Sequence, residues 1–148
     1  MTTITIETVI DAPPELCFEL ALDVDAHAES AAFSGERVVE PGRLSGVLQL
    51  GDLLTFEGRH FGFRQRFTTR IIEVDRPRRF VDAMVRGTFK RLRHVHEFHP
   101  ADTGTLMRDT LELDGLLGFL LKRHMQWFIQ TKQQHLKDII ERRAVRSG

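Results

Sequence analysis

The chain has 148 residues, 41% hydrophobic and 28% charged, with 21 basic and 21 acidic side chains and a formal net charge of +0. That balance excludes a disordered chain, and neutrality removes the basic excess with which a general nucleic-acid binder displaces counterions. The length fits one domain over residues 1–148, which can bury about two thirds of its unfolded surface without metal or disulfide staples. Cys17 is the single cysteine, so no internal disulfide is expected. No run approaches about 18 uninterrupted apolar residues, and Met1–Glu7 lacks the basic start and apolar run of a signal peptide. The expected location is therefore the cytoplasm, without integral membrane association. There are 11 Phe, 1 Trp and 0 Tyr, a bias that suits a dense core or an apolar pocket wall equally.

In chain order, Ile4, Ile6, Thr8 and Ile10 alternate with Thr5, Glu7 and Val9, predicting a first strand over residues 4–10. Asp11-Ala12-Pro13-Pro14-Glu15 is a helix-start signal, predicting a short helix over residues 14–21. Asp23 can cap a second helix running through His27 and Glu29. From Gly35 to Leu113 strand patterns follow one another, broken by turn residues such as Glu40-Pro41-Gly42, Phe61-Gly62, Asp75-Arg76-Pro77 and Pro100–Gly104. After Gly115 the period changes. Leu121, Met125, Phe128, Lys132, Leu136 and Ile139 recur at three and four, one face of a helix over residues 116–143. At 1.5 Å per residue that helix is roughly 40 Å long and crosses a whole small domain.

Splitting each strand into its two faces sharpens the picture. Phe63, Gln65, Phe67, Thr69 and Ile71 form one row against Arg64, Arg66, Thr68 and Arg70. Leu92, His94, His96 and Phe98 oppose Arg91, Arg93 and Glu97; Met107, Asp109, Leu111 and Leu113 oppose Arg108, Thr110 and Glu112. An antiparallel sheet covered on one side gives this pattern, with the arginine rows wet and interleaved with glutamates. Pairing the last hairpin through Pro100–Gly104 puts Phe98 near Thr105 and His94 near Asp109. Asp82 then approaches His94 or His96, and His60 joins the same face. The predicted cavity holds Asp82, His94, His96 and Asp109 among phenylalanines.

The order β-α-α-β(6)-α, with the long helix last, resembles the helix-grip superfamily of START lipid-transfer domains, birch-pollen-allergen proteins and bacterial polyketide cyclase/dehydrase-like proteins. The segments that carry the likeness are Gly51–Phe56 to His60-Phe61-Gly62, and Asp75–Phe80 to Gly87-Thr88-Phe89, running on to His94–Phe98. They are similar to the small bacterial ligand-binding branch known as SRPBCC proteins. The resemblance implies an α+β fold: a curved antiparallel sheet of about seven strands wrapped round a long C-terminal helix, with two short helices after strand 1. Members range from lipid carriers to cyclases, hormone receptors and chaperone activators, so fold does not choose the function. Glu40–Gly46 departs from the glycine-rich loop of the plant allergen branch, and no CxH iron–sulfur motif is present.

Each sharp role has a plainer competitor. His94-x-His96 could supply two metal ligands, completed by Asp109, Asp82 or His60; the hydrogen-bonded network in which Asp holds His is preferred, with no metal and no cofactor assigned. Lys132 is expected to lay its stem on the apolar stripe and turn its ammonium outward. The walls expected for a hydrophobic small molecule are Phe56, Phe63, Phe67, Phe80, Met84, Leu92, Phe98, Met107 and Leu111. Leu121, His124, Met125 and Phe128 form the roof; His60, Asp82, His94, His96 and Asp109 supply polar anchors. The function expected first is binding or carrying a lipid, isoprenoid or aromatic polyketide without turnover. The alternatives are a polyketide cyclase/dehydratase using His94 or His96 with Asp109 or Asp82, and a protein-binding module using the outer sheet face. Nothing in the sequence fixes the oligomeric state.

Overall fold

The computed structural model describes residues 1–60 and 62–147 and begins with strand β1 (Thr2–Ile10), helix α1 (Pro14–Leu22) and helix α2 (Val24–Ala31). Six further strands follow: β2 (Arg37–Val39), β3 (Leu53–His60), β4 (Phe63–Asp75), β5 (Arg79–Arg86), β6 (Arg91–Ala101) and β7 (Gly104–Asp114). Helices α3 (Leu116–Leu120) and α4 (Lys122–Ser147) close the order. The seven strands form one antiparallel sheet, β1-β7-β6-β5-β4-β3-β2, which curls around α4. Register shifts at Thr68/Thr69 and Ile71/Glu73 bend β4.

Local chemistry explains the first elements. In β1 the alternation is realised residue by residue: Ile4, Ile6, Thr8 and Ile10 are buried while the intervening side chains face water. Pro14 opens α1 with its φ already helical, and Asp23 caps α2 by accepting from the Asp25 amide at 3.2 Å. The outer arginines pair much as the alternation implies: Arg66 and Arg37 both reach Glu57, Arg93 reaches Glu112, and Arg108 reaches Glu7. Thr68 departs from that wet row. It is buried, and its hydroxyl lies 2.8 Å from that of Thr55, which in turn bonds the Pro41 carbonyl.

Two expectations need correction. The terminal helix is not continuous from residue 116: Leu121 leaves helical dihedrals, and α3 leans on β7. Gly118 permits that approach, since a Cβ there would lie 2.9 Å from Leu113 Cβ. The last hairpin is also slipped by two residues. Ala101 pairs with Gly104, so only Asp102 and Thr103 form the turn; Phe98 therefore faces Met107, and His96, not His94, sits opposite Asp109. A two-residue slip keeps every side chain on its face, which is why the inward rows survive.

The core lies in two adjoining clusters. Phe18 of α1 meets Phe80 and Phe98 edge-on at 5.7 and 5.5 Å, beneath Leu136 and Ile140 of α4. Ile4, Ile6, Leu92, Leu111 and Leu113 pack with Phe128 and Ile129 further along α4. The β6–β7 turn is tied to the start of α1, with the Thr105 hydroxyl bonding the Ala12 carbonyl at 2.7 Å. Gly104 sits so close to this crossing that an added Cβ would meet the Ile10 carbonyl oxygen and lie 2.9 Å from the Ala12 nitrogen. Gly104→Ala is expected to cost about 2–3 kcal/mol in urea denaturation, the upper part of the overpacking range, because both obstacles are backbone. Unchanged stability would mean that β7 does not approach β1 this closely.

Candidate functional site

Between α4 and the concave face of the sheet lies a cavity of about 140 Å³. Of the residues expected from sequence, Phe56, His60, Phe67, Phe80, Asp82, Leu92, His94, His96, Leu111, Leu121, His124, Met125 and Phe128 line it. Five do not. Phe63 stands 69% exposed at the β3–β4 hairpin, because it follows the turn. Phe98 and Met107 lie below the cavity floor, consumed in the core around Phe18. Met84 packs beside Phe67 against the second core cluster. Asp109 stands behind the two histidines, buried and off the cavity surface.

The wall also includes residues beyond those expected to form it. Leu54, Thr69 and Ile71 continue the inward rows of Phe56 and Phe67, and Ile129 and Gln133 flank the stripe on α4. His27 enters from α2 and Glu36 precedes β2. Lys132 corrects the outward expectation: its Nζ lies 5.0 Å from the centre of the Phe56 ring, inside the cavity. Lys132 is half-buried, and its stem runs along the apolar stripe toward the Phe56 ring.

The polar end is built by β5, β6 and β7 together. Asp82 is paired with His94 and His96 with Asp109, so four titratable side chains converge on one face. His96 Nε2 lies 2.7 Å from Asp82 Oδ2, and His96 Nδ1 lies 3.0 Å from Asp109 Oδ1. His94 Nε2 reaches the same Asp109 oxygen at 3.0 Å. The rings stack: His96 is 4.1 Å from Phe80 on one side and 3.7 Å from His94 on the other.

This geometry sets the charges. Burial alone would lower the His96 pKa, but N–H bonds to Asp109 and Asp82 outweigh it and raise the value to about 9. His96 is thus an imidazolium, with each carboxylate accepting a hydrogen bond from one of its N–H groups and the Phe80 face beneath it. Burial would raise the Asp109 pKa; His94 and His96 instead hold it well below the usual carboxylate range. For His94 burial dominates and the adjacent imidazolium adds to it, so its pKa is lowered and the ring is neutral. Its Nε2–H donates to Asp109, leaving Nδ1 as a lone pair. His27 is also held neutral, its pKa pushed down by burial to about 3, with Nε2–H donating to the Ala21 carbonyl. At the other end His60 lies 3.2 Å from Glu36 and packs edge-on to His124 and Phe128.

Ligand atoms of Asp82, His94 and His96 lie within 4.8 Å of one another, close enough for a metal ion. Yet both His96 nitrogens already face carboxylates. A metal there would have to displace the proton that Asp82 and Asp109 stabilise, so the hydrogen-bonded network describes the cluster better.

The pH dependence follows with a definite sign. His96 has a folded pKa above its unfolded value, so its contribution is complete below pH 6.5 and is lost as pH rises through about 9. At about 1.4 kcal/mol per pH unit, roughly 3 kcal/mol of stability should disappear across that window. The acid side is shared by Asp82, Asp109, His27 and His94; on the alkaline side the lowered Lys132 pKa opposes the His96 loss and the raised Cys17 pKa adds to it, so Asp82→Asn identifies the His96 share. Urea denaturation between pH 6.5 and 9 should show the loss, and Asp82→Asn should make it smaller. A flat profile in a Lys132→Met background would exclude the imidazolium.

Comparison with known proteins places this arrangement. The model of a family described as "Polyketide cyclase / dehydrase and lipid transport" matches residues 1–143. Protein CV1439 of Chromobacterium violaceum superimposes with a TM-score of 0.74 at 20% identity, over 94% of this chain and 96% of that one. TTHA0849 of Thermus thermophilus gives 0.69 at 22%, over 99% of both chains. The ginseng major latex-like protein 151 of Panax ginseng gives 0.66 at 12%, over 93% and 95%. At these identities the likeness is one of fold. No curated protein sequence matches the chain significantly.

Proposed function

We propose, from the premise that the chain belongs to the polyketide cyclase / dehydrase and lipid transport family, that residues 1–148 act as one domain that binds and carries a compact apolar molecule. The observation that supports this most is the cavity itself. The surface it presents is mostly that of phenylalanine, leucine and isoleucine, with Asp82, His94 and His96 at one end and Glu36, His60 and His124 at the other, polar groups able to orient an otherwise apolar ligand. A volume of about 140 Å³ lies below the roughly 300–1,000 Å³ of sites for drug-sized molecules. That favours a ring-sized ligand, such as part of an aromatic polyketide, over a fatty acid. The partner proposed is this molecule and not a nucleic acid, and the proposed location is the cytoplasm. No helix among the described residues is long and apolar enough to cross a membrane.

Carriage is preferred to turnover because the polar groups largely satisfy one another. His96 is protonated and held on both sides, so it is no base. One observation favours the second reading, a cyclase or dehydratase. His94 is neutral, is oriented by Asp109 and lines the cavity, the arrangement of a general base with its orienting carboxylate.

Native mass spectrometry of protein purified from its own host, followed by denaturing extraction, tests the proposal. The expected result is a stoichiometric small organic molecule. Bare protein whose melting temperature ignores both aromatic probes and lipids would contradict it. His94→Gln then separates the two readings: binding should weaken by less than about tenfold for a carrier, the worth of one hydrogen bond. Loss of conversion of the extracted molecule would instead establish the enzyme.

A further inference from the structure

Four side chains on the cavity wall carry charge besides the His96 imidazolium, and three of them are matched. Glu36 pairs with His60, Arg66 with Glu57, and Asp82 with His96. Lys132 is the fourth. Among the described residues it has no hydrogen-bond or ion-pair partner, only the Phe56 ring 5.0 Å from its Nζ.

The surroundings deepen the mismatch. Lys132 sits one helical turn from both Phe128 and Leu136, so its stem is fixed among apolar side chains. The neighbouring His27 has given its Nε2–H to the Ala21 carbonyl and carries no charge. Glu36, Asp82 and Asp109 attract the ammonium at a distance, but each is engaged by a histidine. Burial accordingly lowers the Lys132 pKa. A half-buried ammonium on an apolar wall without a protein acceptor is partly desolvated at a cost, whereas methionine would fill the same space without that cost. Groups kept at the expense of stability are characteristic of binding sites.

We propose that the ligand of this cavity carries an acidic oxygen, as a carboxylate or as an ionised phenol or enol, and that Lys132 Nζ binds it beside the face of Phe56. This rests on the cavity being the ligand site. It deepens that reading by naming the group the ligand must present. The Asp82–His96–Asp109 network then fixes the far end of the site, and Lys132 selects the ligand's head.

The test uses 2-naphthoate, 2-naphthol and 2-methylnaphthalene, which share one ring system, and measures Kd for the wild-type protein and Lys132→Met. Relative to 2-methylnaphthalene, at least one oxygen-bearing probe should lose about tenfold or more in affinity on Lys132→Met, the worth of a charge-assisted bond. Which probe loses it distinguishes carboxylate from phenol. The variant without ligand should melt at the same temperature or higher. An unchanged ratio for both oxygen-bearing probes overturns the role of Lys132 and leaves the cavity reading intact. A markedly lower melting temperature overturns it too, since the ammonium would then have a structural partner. If none of the three probes binds the wild type, the cavity reading falls and this inference with it.

Discussion

The constraint on which the site depends is a single buried cation shared by two carboxylates. His96 bridges Asp82 on β5 and Asp109 on β7, while its own strand β6 lies between them. None of the three ions would be tolerated alone in this interior; together they satisfy most of one another's hydrogen-bonding capacity. The bridge exists in one register. Sliding β6 against β7 by one residue would turn His96 to water, and sliding it by two would separate it from Asp109. The pairing therefore does for the middle of the sheet what a well-matched apolar core alone does poorly: it distinguishes one alignment from its neighbours.

The rest of the cavity follows from that alignment. With β5, β6 and β7 fixed, Phe80 stacks beneath His96 while Leu92 and Leu111 form the apolar floor. Helix α4 spans the opening and brings Phe128, Ile129 and Lys132 over it. The site is asymmetric in charge. One end is a closed network in which a proton is held between acids, and along α4 stands an ammonium without an ion-pair partner among the described residues. An apolar molecule with one acidic corner is complementary to that layout, whether the protein only holds it or also uses His94 on it.

Much of this was legible in the sequence, and the failures have physical causes. Period-two alternation identified both faces of β4, β6 and β7, because arginine resists burial and the wet rows are arginine-rich. It also brought Asp82, His94, His96 and Asp109 to one place. The partner assignment slipped by two because Pro100 and Ala101 look like turn residues yet lie in the strand, leaving a tighter turn at Asp102-Thr103. Phe63, Phe98 and Met107 lie on the inward rows but not at the cavity. Alternation reports a face, not how far along the strand the cavity extends. Lys132 was misjudged because a lysine on an apolar stripe usually turns its ammonium outward, and only the tertiary fold shows that here it lies over the Phe56 ring. His27 is brought in by the tertiary placement of α2, which no local pattern encodes.

The central claim is the protonation of His96, and long-range proton–nitrogen correlation NMR of the labelled protein measures it directly. At pH 7.5 the account predicts one imidazole with both ring nitrogens protonated, assigned to His96 by its loss in His96→Gln, beside a neutral His94 protonated at Nε2. A neutral His96 at that pH would contradict the shared cation, and with it the explanation given for the sheet register and the polar end of the cavity.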